Sequence, residues 1–263
     1  MTATEILQVT LTGAAPTALL VTLTWLASLR PRDSSLVDRV WGLGFVLLAF
    51  WYAAWALDQS REMDGLLLLL VALWGLRLSW HITRRNWGHG EDPRYAAMRT
   101  RNGARWWWQS YATVFLLQGT LMLVIALPLA AAIPAPGAGR GRLLGTLLWL
   151  VGFGFEAGGD WQLARFRADP ANRGRVLDSG VWRYSRHPNY FGDALQWWGF
   201  FAFAAASGAW WTILSPIVMT LLLLRVSGVT LLEASLVETK PAYRDYIRRT
   251  AAFFPWPPKA PVA

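Results

Sequence analysis

The chain has 263 residues, 54% of them hydrophobic, with 18 tryptophans, no cysteine and a mean hydropathy of +0.29. Its net charge of +9 comes from arginines set between apolar runs rather than gathered on one soluble module, which argues against nucleic acid as a partner. Without cysteine there are no disulfides or thiolate chemistry, and His81, His89 and His187 are too scattered to form a metal motif.

The apolar runs have the length of membrane spans. They fall at about 8–29, 40–57, 65–82, 111–133, 143–164, 188–206 and 210–232. The expectation is an all-α polytopic membrane protein, one domain of seven transmembrane helices over residues 1–263. The N-terminus lacks the basic start of a cleaved signal, so the first span is expected to be retained. Stretches 30–39, 83–110 and 165–187 and the tail after 232 carry twenty basic residues between them. The opposite connections carry three: Arg61, Arg140 and Arg142. The positive-inside rule then puts the N-terminus outside and the C-terminus in the cytoplasm.

Polar residues within this apolar frame mark candidate chemistry. Arg77 lies near the end of the third span, where an intramembrane charge is either paired, snorkelled or functional. Arg225 is expected to snorkel or to pair with Glu233. The loop that begins Arg85-Asn86-Trp87-Gly88-His89-Gly90-Glu91-Asp92-Pro93-Arg94-Tyr95 reads as a specific turn rather than a helix, because two glycines and a proline punctuate it. Trp106, Trp107 and Trp108 after it read as an interfacial aromatic belt.

The fifth span carries Glu156 and Asp160, four apart and so on one helix face. Two acids in a membrane helix need a wet cavity or a partner, and Arg77 and Arg165 are the basic candidates for pairing. The stretch Trp182 to Asp193 turns from basic to apolar at Pro188, which suits a first helical turn. Arg183, Arg186, His187 and the helix start together suit an anion such as phosphate. Asn189 and Asp193 share the next face. The tail continues the last helix through Glu233 to Glu238, then runs through Tyr243 and Tyr246 into Phe253-Phe254-Pro255-Trp256-Pro257-Pro258. Three cytoplasmic segments would thus lid a pocket between helices, an arrangement suited to a charged cofactor meeting an apolar substrate.

Four stretches resemble bacterial DUF1295 proteins, relatives of the steroid 5α-reductase C-terminal superfamily. They are Val37 to Gly42, Arg85 to Tyr95, Ser185 to Asp193 and Tyr246 to Pro258. The Arg-His-Pro-x-Tyr-x-Gly element at 186–192 is also similar to one in isoprenylcysteine carboxyl methyltransferases.

The resemblance implies a seven-helix enzyme of the bacterial inner membrane that holds NADPH under cytoplasmic loops and acts on an apolar lipid or steroid-like substrate. By motif, cofactor contacts are expected at Asn86, Glu156, Asp160, Arg167, Arg175, Asn189 and Asp193. Arg186, His187 and Tyr190 of the Arg-His-Pro element and Tyr246 of the tail complete that set. Glu156 stands where the reductases have Asn. The reductases' Gln-Glu pair and Tyr on the second and third helices have no counterpart, which leaves Asp38 and Arg77 as candidates for the substrate side. The implied activity is reduction of a carbon–carbon double bond, with an S-adenosylmethionine-dependent methyltransferase and a non-catalytic membrane module as competing readings.

Overall fold

The structure, a computed structural model, describes residues 1–137, 139–226, 233 and 236–259. Residues 227–232 of the expected seventh span and the C-terminal Ala263 lie outside the described residues. The described residues are helical, with no strand among them. Four helices are long and apolar enough to cross a membrane: α1 (Ala3–Leu29), α3 (Trp41–Asp58), α4 (Gly65–Asn86) and the stretch Pro93–Ile125. This is an integral membrane protein. By contacts the chain forms two compact units, Met1–Gly139 with Phe203–Thr212, and Arg140–Ala202 with Ile213–Ala263.

In the first unit α1 is interrupted at Gly13, and its buried face carries Thr10, Thr17 and Thr24 at a spacing of seven. Their hydroxyls donate to the carbonyls of Ile6, Gly13 and Leu20, so an apolar helix buries polar atoms without leaving any unsatisfied. Its other side exposes Leu19, Leu23 and Leu26, a stripe suited to lipid. A short turn of helix, α2 (Leu36–Arg39), leads into α3. Helices α3 and α4 touch backbone to backbone where Gly42 meets Gly75. A Cβ built on Gly42 would lie 2.3 Å from the Gly75 carbonyl oxygen.

The turn read at 85–95 is present over 87–92, but the loop expected to run on to 110 is helical from Pro93. Asp92 accepts from the Arg94 N–H, Pro93 takes the first helical position, and a polar helix α5 (Pro93–Asn102) follows. Gly103–Arg105 then turns into α6 (residues 106–125), which contains a π turn at Tyr111–Leu116. A proline and two glycines hid a helix whose charged face carries no hydrophobic period. Trp106 also departs from the aromatic-belt reading. It is buried and donates from Nε1 to Ser34 Oγ at 3.1 Å, whereas Trp107 and Trp108 are exposed. The core here joins Val21, Val37, Tyr95, Trp106, Val114 and Phe115. A short helix, α7 (Leu127–Ala132), closes this stretch.

The second unit is built on α8 (Arg140–Ala168) and α9 (Pro188–Ala206), followed by α10 (Leu214–Leu221) and, in the tail, α11 (Tyr243–Arg249). Glycine decides how closely α8 and α9 approach. A Cβ on Gly192 would lie 2.4 Å from both the Gly152 oxygen and the Glu156 nitrogen. One on Gly152 would lie 2.6 Å from the Gly192 oxygen. The two backbones therefore touch from Gly152 to Glu156, at the foot of the Glu156 side chain. The 180–183 turn docks on α8 as Val181 N–H donates to Gln162 Oε1 at 3.1 Å and Trp182 Nε1 to the Gly159 carbonyl at 3.1 Å.

Candidate active site

The close contact of α8 with α9 creates a buried polar seam in the second unit. Gln196 Nε2 donates to Glu156 Oε2 at 2.6 Å, and Asn189 Nδ2 donates to Asp160 Oδ1 at 3.0 Å. Glu156, Asp160, Asp193 and Gln196 are all buried. The sequence reading had offered Arg77 or Arg165 as partners for the two acids. Each of the two acids accepts a bond from a neutral amide on the facing helix. A carboxylate has several acceptor sites and can take more than one donor at a time, an amide among them. Gln196 was not marked in the sequence. Its signal was its position seven residues after Asn189, on the same helix face.

At the start of α9 the structure separates residues that the sequence grouped. Arg186 is buried and turned inward. Its Nε and Nη2 donate to Glu233 at 2.7 and 3.1 Å, and Nη1 donates to the carbonyls of Ile247 and Thr250. His187 Nε2 lies 3.0 Å from the same Glu233 carboxylate, and its ring stacks on Tyr190 at 5.6 Å. Burial by itself would raise the Glu233 pKa. The hydrogen bonds and charge of His187 and Arg186 outweigh it and hold the carboxyl down at about 2. Glu233 thus pairs with Arg186 and His187 rather than with Arg225, whose placement the sequence left open. Tyr246 is also committed within the chain: its hydroxyl bonds to the Trp182 carbonyl and lies 3.2 Å from that of Ser185. These contacts tie the tail to the 182–187 segment. Arg167 and Arg175 are exposed, with the Arg175 carbonyl accepting from Lys240 Nζ at 2.8 Å.

Asn86, Asp38 and Arg77 belong to the first unit. Asn86 ends α4 and accepts from Arg85 Nε at 3.1 Å, and Arg77 is half-buried on the same helix. Asp38 sits at the centre of a polar node. It accepts from the Tyr95 hydroxyl at 2.8 Å and from Arg94 Nη2 at 3.1 Å, while Gln118 Nε2 donates to the Tyr95 hydroxyl at 3.1 Å. Burial raises the Asp38 pKa more than Arg94, Tyr95 and Gln118 lower it. Beside it Glu91 accepts from the Ser34 N–H at 2.7 Å and from both Nε and Nη2 of Arg99 at 2.8 Å. The Glu-Asp-x-Arg-Tyr sequence at 91–95 therefore serves to bind the 33–39 segment, an arrangement invisible in the linear order.

Apolar helices around buried carboxylate–amide pairs define a class: a helical membrane protein that buries polar side chains between its helices. The chain belongs to the DUF1295 family, described as proteins of unknown function, which it matches over residues 24–250. It is also 25% identical to an uncharacterized protein of the fission yeast Schizosaccharomyces pombe, over 88% of this chain and 75% of the yeast protein. No solved structure matches significantly.

Proposed function

We propose that the protein is a membrane reductase that uses NADPH to reduce a carbon–carbon double bond in a lipid or steroid-like substrate. The observation that carries the reading is the seam of Glu156–Gln196 and Asp160–Asn189 pairs. Three of those four residues stand at positions where the steroid 5α-reductase resemblance expects cofactor contacts. Buried carboxylates and amides suit the hydroxyl and carboxamide groups of a dinucleotide, and exposed Arg167 and Arg175 suit its phosphates. The residues therefore fit the cofactor, with two changes to the expected set. Arg186 and Tyr246 spend their donors within the chain, so their part is to hold the tail in place.

The cofactor would supply a hydride to the substrate. What the chain supplies is orientation, exclusion of water and a proton. Asp38 suits the proton's side of the reaction, because burial favours its protonated form. Arg77 is the second candidate for that side. The seven spans and the cytoplasmic C-terminus belong to the same proposal, and a reporter fused after Ala263 tests the orientation.

The test of the reaction type is titration of purified protein with NADPH and with S-adenosylmethionine. Saturable binding of NADPH supports the reductase. Saturable binding of S-adenosylmethionine without NADPH would replace it with a methyltransferase, the reading supported by the Arg-His-Pro-x-Tyr-x-Gly element. Binding of neither would leave a membrane module.

A further inference from the structure

Of the three residues that the sequence grouped as anion-seeking, Arg186 and His187 face Glu233, while Arg183 faces outward. It lines a cleft of about 470 Å³ together with Asp178, Ser179, Gly180, Arg249, Thr250 and Lys259. We propose that this cleft binds a phosphate monoester through Arg183, Arg249 and Lys259.

Charge is the first argument. Among the described residues Arg183 and Lys259 make no ion pair. Arg249 reaches Asp178 at 3.4 Å, with both side chains more than a third exposed, so that contact is weak and open to exchange. Three cations against one carboxylate leave a local charge of +2. A phosphate monoester carries about −1.5 to −2 at neutral pH, which balances it. A diester carries one charge and leaves a cation uncompensated. The cleft therefore selects for the monoester.

Rigidity is the second argument. The walls come from segments far apart in sequence, yet main-chain bonds fix them to one another. Trp256 N–H donates to the Tyr184 carbonyl, Arg186 N–H to that of Ala251 and Lys259 N–H to that of Arg249, each at 2.9 Å. Gly180, at φ +60°, adopts a backbone conformation that favours glycine and lets the chain turn against Gln162. The backbone that carries the cations is thus fixed before an anion arrives, so only their side chains have to be ordered on binding. Arginine adds a planar fork that matches phosphate oxygens.

Two sources offer this chemistry: the 2′-phosphate that distinguishes NADPH from NADH, and the head group of phosphatidic acid. The dinucleotide source rests on the reductase reading; the lipid source does not. The experiment measures affinities of full-length protein in neutral detergent for NADPH and NADH. It also measures affinities in nanodiscs for phosphatidic acid and for phosphatidylglycerol, a diester. Wild type is compared with Arg183→Gln, Lys259→Gln and, as a control for bulk charge, Arg101→Gln. Melting temperatures verify that each variant is folded. Lys259→Gln changes an exposed side chain and so preserves the test should Arg183→Gln fail to fold.

The expected result is that each cleft variant loses about tenfold in affinity for a monoester. Affinity for NADH and phosphatidylglycerol, and all affinities of the control, should hold. A loss confined to NADPH supports the site and names the dinucleotide as its source. A loss confined to phosphatidic acid, in a protein that does not bind NADPH, supports the site and removes the reductase reading. Unchanged binding of NADPH and phosphatidic acid by both cleft variants overturns the site and leaves the reductase reading standing. An equal loss in Arg101→Gln overturns it as well, and binding of neither monoester by wild type overturns both.

Discussion

Arg186 grips Glu233 at two points, Nε at 2.7 Å and Nη2 at 3.1 Å, across 47 residues of sequence. His187 holds the same carboxylate, and Arg186 also reaches two tail carbonyls. One buried guanidinium therefore joins the start of α9 to Glu233 and to the tail. Removing the carboxylate leaves that cation buried without its counter-charge. Glu233→Ala should cost about 3 kcal/mol of stability. Glu233→Gln keeps an acceptor and should cost less. Thermal unfolding of both variants in one detergent checks the order, and a Glu233→Ala protein as stable as wild type would refute the clamp.

The same pair sets an acid limit. Glu233 has an ordinary value of 4.5 and is held at about 2 in the folded chain. The folded value is depressed, so the stabilisation is fully present above pH 4.5 and drains away as pH falls toward 2. At most it amounts to about 3 kcal/mol. Wild type should lose stability through that window, and Glu233→Gln should show a flatter profile there. Parallel profiles for the two proteins would mean that the pair contributes nothing to acid sensitivity.

Helix contact can be tested at glycine. Gly192→Ala would push a methyl group into the Gly152 oxygen and the Glu156 nitrogen, both backbone atoms that cannot rotate away. The helices must separate, loosening the Glu156–Gln196 and Asp160–Asn189 bonds. A loss of about 2 kcal/mol or more is expected. Gly154, on the exposed side of α8, has nothing within 4 Å. Gly154→Ala should be neutral or stabilise by up to about 1 kcal/mol. Similar melting temperatures for the two variants would remove the close-contact account.

Much of this was legible in the sequence, and the reasons differ by residue. Glu156, Asp160, Asn189 and Asp193 stand out because charged and amide groups are costly within an apolar run. Helix periodicity alone puts each pair on one face. Gln196 needed the facing helix to be seen, since an amide among aromatics has no local signature. Arg186 read as a phosphate ligand because its partner lies 47 residues away, and only folding brings Glu233 to it. Helix α5 was missed because its stability comes from a cap, a proline at the first position and ion pairs rather than an apolar stripe. Trp106 was indistinguishable from its two neighbours until burial separated it from them.

Asp38 yields a prediction opposite in sign to that for Glu233. Burial raises its pKa in the folded chain, so folding favours the protonated form. Its contribution to stability is therefore present below its ordinary value of 3.8 and is lost as pH rises through the folded value. Asn mimics the protonated acid in shape. Arg94 would keep Asp92, whose Oδ1 accepts from Arg94 Nε at 2.9 Å. Asp38→Asn should melt higher than wild type at pH 7, and the gap should close as pH falls toward 4. A variant that melts lower at neutral pH would show that the Arg94 and Tyr95 contacts outweigh burial.

Arg175 and Arg186 separate binding from stability. The Arg175 side chain is exposed, and the contact fixing its position, from Lys240, goes to its backbone carbonyl, which alanine retains. Arg175→Ala should therefore leave unfolding almost unchanged. If Arg175 meets a cofactor phosphate, the loss of one charged hydrogen bond is worth roughly 1.5–3 kcal/mol, or about 10- to 150-fold in NADPH affinity. Arg186→Ala removes bonds that all lie inside the chain, so it should lower the melting temperature first and affect NADPH only by loosening the tail that those bonds hold. Titration and thermal unfolding of the two variants side by side decide the assignment. An Arg175→Ala protein that binds NADPH as wild type does would remove Arg175 from the cofactor set. A stable Arg186→Ala protein that has lost NADPH would return Arg186 to the phosphate-binding role first read from the sequence.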